Sequence, residues 1–361
     1  MFKTITRFLE LTAASMLLAL MLCCTGAALE AEASEAAVSD AYAALTEVME
    51  ANGLYFSELT GEPISTTIQD QRPIAVMIDN DQRALPHYSL SEADVVYELV
   101  NSLVNNRITR LMAVYKDWGN LEMVGNIRSV RPTNILLAQE WEAVICHDGG
   151  PYYINDYLSR YNYSFSGTFS RVNNGKATEF TEYILSGDLL SNFASKGYST
   201  TYSTDLSEQE AHFNFAAYGE EVNLAGEYGA VTAADVDLPF YNTQSELKYN
   251  AETQTYDYYE FGELAVDGQT GEVITFKNVL ILNCSYSVYD SNGYFIYNCI
   301  TGLDVGWYCT NGVAIPILWN KLSESGNTNY YDSIGVPLTV NTGKTYIALV
   351  PNDTWDEVTL K

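Results

Sequence analysis

The apolar positions of this chain fall mostly in short runs bounded by polar turns, a pattern typical of strands. Residues 73–78 (PIAVMI) form a continuous apolar run that stops at Asp79, which predicts a buried strand. Residues 94–98 and 108–115 carry further β-type runs, and 142–147 predicts a short strand. The first half of the chain therefore predicts several buried strands.

Helical spacing separates these runs at three places. Residues 34–53 carry one apolar stripe that ends at Asn-Gly, which predicts a helical stalk or linker. Residues 130–142 predict a helix with Pro132 in its first turn. Residues 178–196 predict another helix. Buried strands with intervening helices indicate a mixed α/β domain over residues 54–225.

The last part of the chain changes to strand-type alternation punctuated by turn residues. The predicted strands there are 256–266, 272–276, 279–289, 293–299, 306–310, 313–319 and 345–350. Residues 226–361 are therefore predicted to form a β-rich domain. The predicted fold class is α+β, with a mixed α/β N-terminal domain and a β-rich C-terminal domain.

A hairpin is predicted around residues 290–293, and two cysteines flank it. If Ser291–Asn292 is the loop, Cys284 and Cys299 lie directly opposite as a hydrogen-bonded pair, with Cα atoms ~5.5 Å apart. That separation lies within disulfide range. If Asn292–Gly293 is the loop, the pair is lost. A disulfide and two free buried thiols both stay open here.

The N-terminus has the order of a signal peptide: a basic start, an apolar stretch, then small residues. Lys3 and Arg7 precede the apolar residues 11–24, which are fewer than the ~20 residues that a membrane span needs. Residues 1–33 are therefore predicted to be a signal peptide. We expect an extracytoplasmic protein, secreted or anchored to the outer face of the cell membrane. The mature chain is expected to begin either at a lipid-modified Cys24 or after cleavage at a later alanine.

The formal charge is -28, from 18 Lys and Arg against 46 Asp and Glu, and it limits the classes of binding partner that we expect. Binding of nucleic acid needs clustered basic residues, so a nucleic-acid partner is not expected. Electrostatic interactions are screened over ~8 Å at physiological salt, which still allows a local basic pocket. At 47% hydrophobic residues, the chain has enough apolar material for a folded core.

A polar set in the N-terminal domain is the main candidate for chemistry. Its members are Asp79, Asn80, Glu98, Arg107, Arg110, Arg128, Arg131, His147 and Asp148. Asp79 and His147 each end a predicted strand, and ligand clefts form at the carboxyl ends of strands. Arg128 and Arg131 can form a fork for a carboxylate or phosphate. The prediction is an anion-binding cleft with His147 as candidate acid or base. The alternative is a structural network of ion pairs.

Other chemistry has weaker support. Cys146 precedes His147, but neighbours on a strand face opposite ways, so Cys146 is predicted to be a core residue. The sequence has no zinc spacing, EF-hand or G-x-G-x-x-G motif, so neither a metal nor a cofactor is expected. An aromatic sugar-binding surface in the β-rich domain could be lined by Trp307, Tyr308, Trp319 and Lys321. The alternative, which we favour, is that Trp307 and Trp319 are core residues.

Several ordered motifs resemble the YerB-like lipoproteins of Gram-positive bacteria. They are Arg72–Asn80, Leu90–Glu98, Ile108–Arg110, Gly125–Arg131, His147–Gly150, Lys277–Val279, Thr310–Gly312, Trp319–Lys321 and Asn341–Thr345. The resemblance spans roughly residues 54–351 and implies an envelope lipoprotein with two domains of unknown function. It implies no reaction. The chain departs from the family at 177–181, where a Pro-His-Asn-Leu-Tyr stretch is usual, so that histidine is absent.

The leading hypothesis is a non-catalytic envelope protein that binds a partner protein or an anionic small molecule or glycan. The alternative is an extracytoplasmic enzyme that acts on an anionic or glycan substrate through His147 and the Arg128/Arg131 fork. Exposed side chains around a cleft would favour a site. If Asp79, Arg128, Arg131 and His147 are all buried and mutually paired, the site hypothesis fails.

Overall fold

The computed structural model describes residues 42–203 and 211–361. The predicted signal peptide, Cys24 and the start of the predicted stalk lie outside these residues. The helices are α1 (42–51), α2 (Pro132–Glu140), α3 (Ile154–Arg160) and α4 (Asp188–Lys196), with a single helical turn at Val104–Arg107. Within the described ranges, no helix combines the length and apolarity that a membrane crossing requires.

Strands make up most of the regular structure. Before residue 204 they are β1 (Leu54–Phe56), β2 (Pro63–Ser65), β3 (Ile74–Asp79), β4 (Val95–Val100), β5 (Thr109–Tyr115), β6 (Met123–Gly125), β7 (Val144–His147), β8 (Ser164–Ser166), β9 (Ser170–Arg171) and β10 (Glu182–Leu185). After residue 210 they are β11 (Asn214–Phe215), β12 (Val231–Thr232), β13 (Asp235–Asp237), β14 (Glu246–Asn250), β15 (Thr255–Glu260), β16 (Glu263–Leu264), β17 (Thr275–Phe276), β18 (Asn278–Cys284), β19 (Tyr286–Val288), β20 (Phe295–Tyr297), β21 (Thr301–Thr310), β22 (Val313–Lys321), β23 (Thr328–Asp332), β24 (Thr339–Val340), β25 (Thr345–Pro351) and β26 (Thr359–Leu360).

One sheet of 11 strands runs through both halves of the sequence. Its order is β12-β22-β21-β18-β25-β4-β5-β3-β7-β8, with β23 paired to β22. The two halves meet where β25 pairs in parallel with β4, from Thr345 opposite Val95 to Leu349 opposite Leu99. The segments 54–225 and 226–361 therefore share one continuous sheet.

The central strands are covered on both faces, which explains their continuous apolar runs. Every residue of β3, β4, β5 and β25 is buried. Helix α2 packs against β7 and β20, and all but one of its nine residues are buried. Helix α2 therefore lies in the interior, where its buried Glu140 accepts hydrogen bonds from Lys321 and Thr328.

A second sheet of six strands lies in the C-terminal half, in the order β16-β15-β14-β13-β26, with β17 paired to β15. Along β15, Tyr256 and Tyr258 are buried while Asp257 and Tyr259 are partly exposed, the alternation of a sheet with one covered face. The molecule is a mixed α/β fold with strand-rich character, which confirms the predicted class at this level.

Three predicted elements are wrong in extent. The predicted strand 256–266 is a tight hairpin in which β15 pairs antiparallel with β16. Residues 178–196 are not one helix: Thr178–Phe180 is a short 3-10 turn, β10 follows, and only α4 is α-helical. The chain breaks before α4 because Gly187 has a φ of +87°, which favours glycine. The predicted strand 279–289 is also divided, since β18 stays in the large sheet and β19 leaves it to pair with β20.

The β19–β20 hairpin has the register that places Cys284 opposite Cys299. Tyr286 lies opposite Tyr297, and the same register continued outward by two residues reaches the cysteines. The predicted hydrogen-bonding parity is wrong: the loop has four residues, because Tyr289 N donates to Tyr294 O at 3.1 Å. Positions 284 and 299 thereby form a non-hydrogen-bonded pair, whose Cα atoms are typically ~4.5 Å apart. Both cysteines are buried free thiols.

Candidate functional site

The large sheet directs several polar side chains to one edge. Strands β3 and β7 are parallel, β4 and β25 are parallel, and β5 runs antiparallel to both β3 and β4. The carboxyl ends of β3, β4, β7 and β25 therefore share an edge. Asp79 ends β3 and lies opposite Arg110 near the start of β5, so the sheet register itself brings this acid and base together.

A loop after β6 adds a second guanidinium group to Asp79. Arg128 N donates to Met77 O at 2.8 Å, and Asp79 N donates to Asn126 O at 3.1 Å, which aligns the loop with β3. Arg128 Nε lies 2.9 Å from one carboxylate oxygen of Asp79, while Arg110 Nη2 lies 3.4 Å from the other. Asp79 is buried, with 1% of its side chain exposed. It is thus shared between two arginines.

A third guanidinium group comes from Arg131, immediately before α2. Arg131 is buried, its Nη1 donates to Val130 O at 2.9 Å, and its guanidinium carbon lies 3.9 Å from the centre of the Tyr294 ring. Within the described residues no carboxylate lies within ion-pair distance of Arg131. Burial lowers the pKa of Arg131. We call Arg110, Arg128 and Arg131 the arginine cluster.

The arginine cluster carries more positive charge than its neighbours neutralise. Burial lowers the pKa of Arg110 to about 10; Asp79 raises it, and the other two arginines lower it further. The half-exposed Glu179 pairs with Arg128 at 3.2 Å. In the described structure the buried Nε atoms of Arg110 and Arg131 have no hydrogen-bond partner. The cluster therefore contains two buried N–H groups whose hydrogen bonds the described residues leave unmade.

Two further predicted ligand-binding residues, Asn80 and Glu98, are hydrogen-bonded to each other in the interior. Glu98 is completely buried and accepts hydrogen bonds from five side chains. The donors are Asn80 at 3.1 Å, Thr109 at 2.7 Å, Ser245 at 2.9 Å, Tyr258 at 3.1 Å and Tyr346. Burial raises the pKa of Glu98, with these donors opposing the shift. Because Glu98 and Asn80 have no exposed surface, we assign them to a network that joins the two halves of the chain.

His147, the candidate acid or base, is also buried, at the end of β7. Its Nδ1 lies 2.8 Å from Gly149 O and its Nε2 lies 2.8 Å from Ser164 Oγ, so both ring nitrogens have partners. Burial lowers its pKa, which favours a neutral ring. The candidate acid or base is therefore a buried histidine that holds the end of β7 against β8.

Asp148 belongs to a neighbouring group that the sequence did not reveal. Arg171 lies 2.8 Å from Asp148 and 2.7 Å from Glu182, and Glu182 is buried. Burial raises the pKa of Glu182 to about 7, with the Asp148 carboxyl adding to the shift. Arg171 and Glu182 are opposite residues of β9 and β10. Both come from a segment without clear periodicity, so no sequence signal paired them.

Replacing Glu182 with glutamine should flatten the pH dependence of stability. The folded pKa of about 7 exceeds that of an unfolded glutamate, about 4.3, so the folded state holds an extra proton between these values. The free energy of unfolding therefore rises as pH falls from 8 toward 5. Urea unfolding of wild type and Glu182→Gln across this range measures the effect. Glu252→Gln, on an exposed turn, is the control, and equal slopes for all three proteins would contradict the assignment.

The remaining candidates have structural partners. Arg107 forms a two-pronged ion pair with Asp353, with one contact at 3.0 Å. Of the four residues Trp307, Tyr308, Trp319 and Lys321, three are buried and Trp307 is partly buried, so the favoured core interpretation is confirmed for Trp319. The buried members are Tyr308, Trp319 and Lys321. Cys146 is likewise buried, as predicted.

The fold and the two matched segments define the class: a strand-rich α/β protein built from two domains of unknown function. Residues 59–199 match "Protein of unknown function (DUF3048) N-terminal domain", and residues 236–347 match the corresponding C-terminal domain. The chain belongs to this YerB-like family.

Two comparisons with individual proteins agree with this family. It is 24% identical over 318 residues to "Putative lipoprotein YerB" of Bacillus subtilis, covering 81% of this chain and 86% of the relative. A crystal structure of the YerB protein from Bacillus subtilis superimposes with a TM-score of 0.71 at 21% identity, covering 85% of this chain and 99% of that one. The second comparison shows a shared fold.

Proposed function

We propose that this protein is an extracytoplasmic envelope protein that binds an anionic ligand through the arginine cluster. One observation carries the proposal: the cluster holds three guanidinium groups, its one buried carboxylate pairs with only two of them, and two buried Nε donors lack partners. A buried charge without a counter-ion costs several kcal/mol. A bound carboxylate or phosphate would offset that cost.

The surroundings of the cluster favour an anion further. Arg131 directly precedes the first turn of α2, where the helix dipole is positive. A planar guanidinium has a donor geometry that matches the oxygens of carboxylate and phosphate. The overall charge of -28 opposes anions at long range, but a cluster this close to its ligand acts inside the screening length of ~8 Å.

The envelope location rests on two supports. The first 33 residues have the order of a signal peptide, and the curated relative is named a lipoprotein. We propose that the mature chain is secreted or is anchored through Cys24 to the outer face of the membrane. Mass spectrometry of the mature N-terminus distinguishes a lipidated Cys24 from an unmodified start at a later residue.

Binding is favoured over catalysis at this site. The enzyme hypothesis needed His147 as acid or base, and both of its ring nitrogens are already hydrogen-bonded. We therefore propose a binding protein for an anionic small molecule, an anionic glycan or an anionic group on an envelope partner.

Replacing Arg131 with methionine should abolish anion binding without lowering stability. Methionine keeps much of the buried stem and removes a charge that has no carboxylate partner, so the ligand-free melting temperature should stay level or rise. Wild type should be stabilised by millimolar inorganic phosphate, because a ligand that binds the folded state raises its melting temperature. Calorimetric titration with phosphate and thermal melts check both parts.

The matched control is Arg160→Met. Arg160 is half-exposed and its charge is paired with Glu324 at 2.7 Å, so this variant should bind phosphate like wild type. If Arg131→Met instead unfolds several degrees earlier and wild type shows no phosphate effect, Arg131 is a structural residue and the proposal fails.

A further inference from the structure

Three tyrosines form an exposed aromatic surface beside the arginine cluster. Tyr152 and Tyr289 are 78% and 53% exposed, and Tyr153 lies between them with ring centres 5.4 and 4.1 Å away. Tyr153 is only 5% exposed, yet its buried hydroxyl has no hydrogen-bond partner in the described structure. We call Tyr152, Tyr153 and Tyr289 the tyrosine platform. Its unpartnered hydroxyl is a donor or acceptor that a ligand can use.

The tyrosine platform is continuous with the arginine cluster. Tyr289 and Tyr294 flank the same four-residue loop, and the Tyr294 ring covers Arg131. Tyr153 is close enough to Arg131 to raise the pKa of its guanidinium, and Arg131 in turn lowers the pKa of the Tyr153 hydroxyl against the effect of burial. The surface thus joins residues before α3 with the β19–β20 hairpin, and both halves of the chain contribute to it.

We infer that the tyrosine platform binds a sugar ring, so that the ligand of the arginine cluster is an anionic glycan. This inference rests on the proposed function. A pyranose ring has a flat face of C–H groups that packs on an aromatic ring, and its hydroxyls pair with a tyrosine hydroxyl. A carboxylate or phosphate on the same sugar would reach Arg131 beneath Tyr294. The shared chemistry is a sugar bearing an anionic group.

Calorimetric titration of the folded protein tests the inference with four probes: a galacturonic acid trimer, glucose 6-phosphate, a neutral galactose trimer and inorganic phosphate. We expect wild type to bind at least one anionic sugar about tenfold more tightly than inorganic phosphate or the neutral trimer. Tyr152→Ala and Tyr289→Ala should each weaken binding of that sugar about five- to tenfold and leave phosphate binding unchanged. The trimer and glucose 6-phosphate distinguish a carboxylated from a phosphorylated glycan.

Tyr228→Ala is the matched control, since Tyr228 is 82% exposed and belongs to neither group. If both platform variants bind every probe like wild type, or if anionic sugars bind no better than phosphate, the platform inference is overturned while anion binding stands. If wild type binds no anion, the proposed function fails with it. If wild type prefers the neutral trimer and Arg131→Met keeps this preference, the inference that the ligand is an anionic glycan is also overturned.

Discussion

Replacing Asp79 with asparagine is expected to lower the free energy of unfolding by about 3–5 kcal/mol. Asp79 is the buried carboxylate shared by Arg110 and Arg128, and the amide cannot neutralise either guanidinium. The variant leaves buried positive charge without a counter-ion, which is the costly way to break a buried ion pair. Urea unfolding at neutral pH, followed by tryptophan fluorescence, measures the loss.

Two companion variants test the explanation. Asp353→Asn removes the partner of Arg107, but Asp353 is 41% exposed, so its loss should be at most about 1 kcal/mol. Asp79→Asn combined with Arg110→Met should be more stable than Asp79→Asn alone, because it removes one uncompensated charge. Asp79→Asn should also gain more stability from inorganic phosphate than wild type. A loss no larger than that of Asp353→Asn would contradict the charge imbalance.

The sequence predicted the buried strands well because their burial is two-sided. A strand covered on both faces needs an unbroken apolar run, and such runs at 73–78 and 108–115 became β3 and β5. The pairing of β25 with β4 could not be predicted in this way. Both are apolar runs some 250 residues apart, and nothing in either run selects its partner or register.

Only some residues of the predicted polar set lie in the arginine cluster. Their positions along the buried strands explain which ones do. Asp79 and Arg110 meet because they are opposite residues near strand ends, and Arg128 follows through a loop hydrogen-bonded to β3. Glu98, by contrast, interrupts an apolar strand, and a lone acid in a doubly covered strand indicates an internal network. Tyr294 could not be predicted, because only the fold brings the hairpin over Arg131.

The network around Glu98 is the clearest link between the two family domains. Glu98 and Thr109 come from the N-terminal half, while Ser245, Tyr258 and Tyr346 come from the C-terminal half. All of them are buried. Adjacent strands β4 and β25 meet at the same place, so hydrogen bonds of side chains and main chain join the halves together. We therefore expect the described domains to unfold as one unit.

Replacing Glu98 with alanine is expected to cost on the order of 4 kcal/mol of unfolding free energy. It removes the acceptor for several buried donors at once, and each buried donor left unsatisfied costs about 1–3 kcal/mol before water or rearrangement reduces the total. Glu98→Gln should cost less than half as much, because the amide keeps the shape and one acceptor while hydroxyl groups can rotate to accept. Urea unfolding of both variants, monitored by tryptophan fluorescence and circular dichroism, should give one coincident transition for wild type. If Glu98→Gln is as unstable as Glu98→Ala, the charge of Glu98 rather than its acceptor positions joins the two halves.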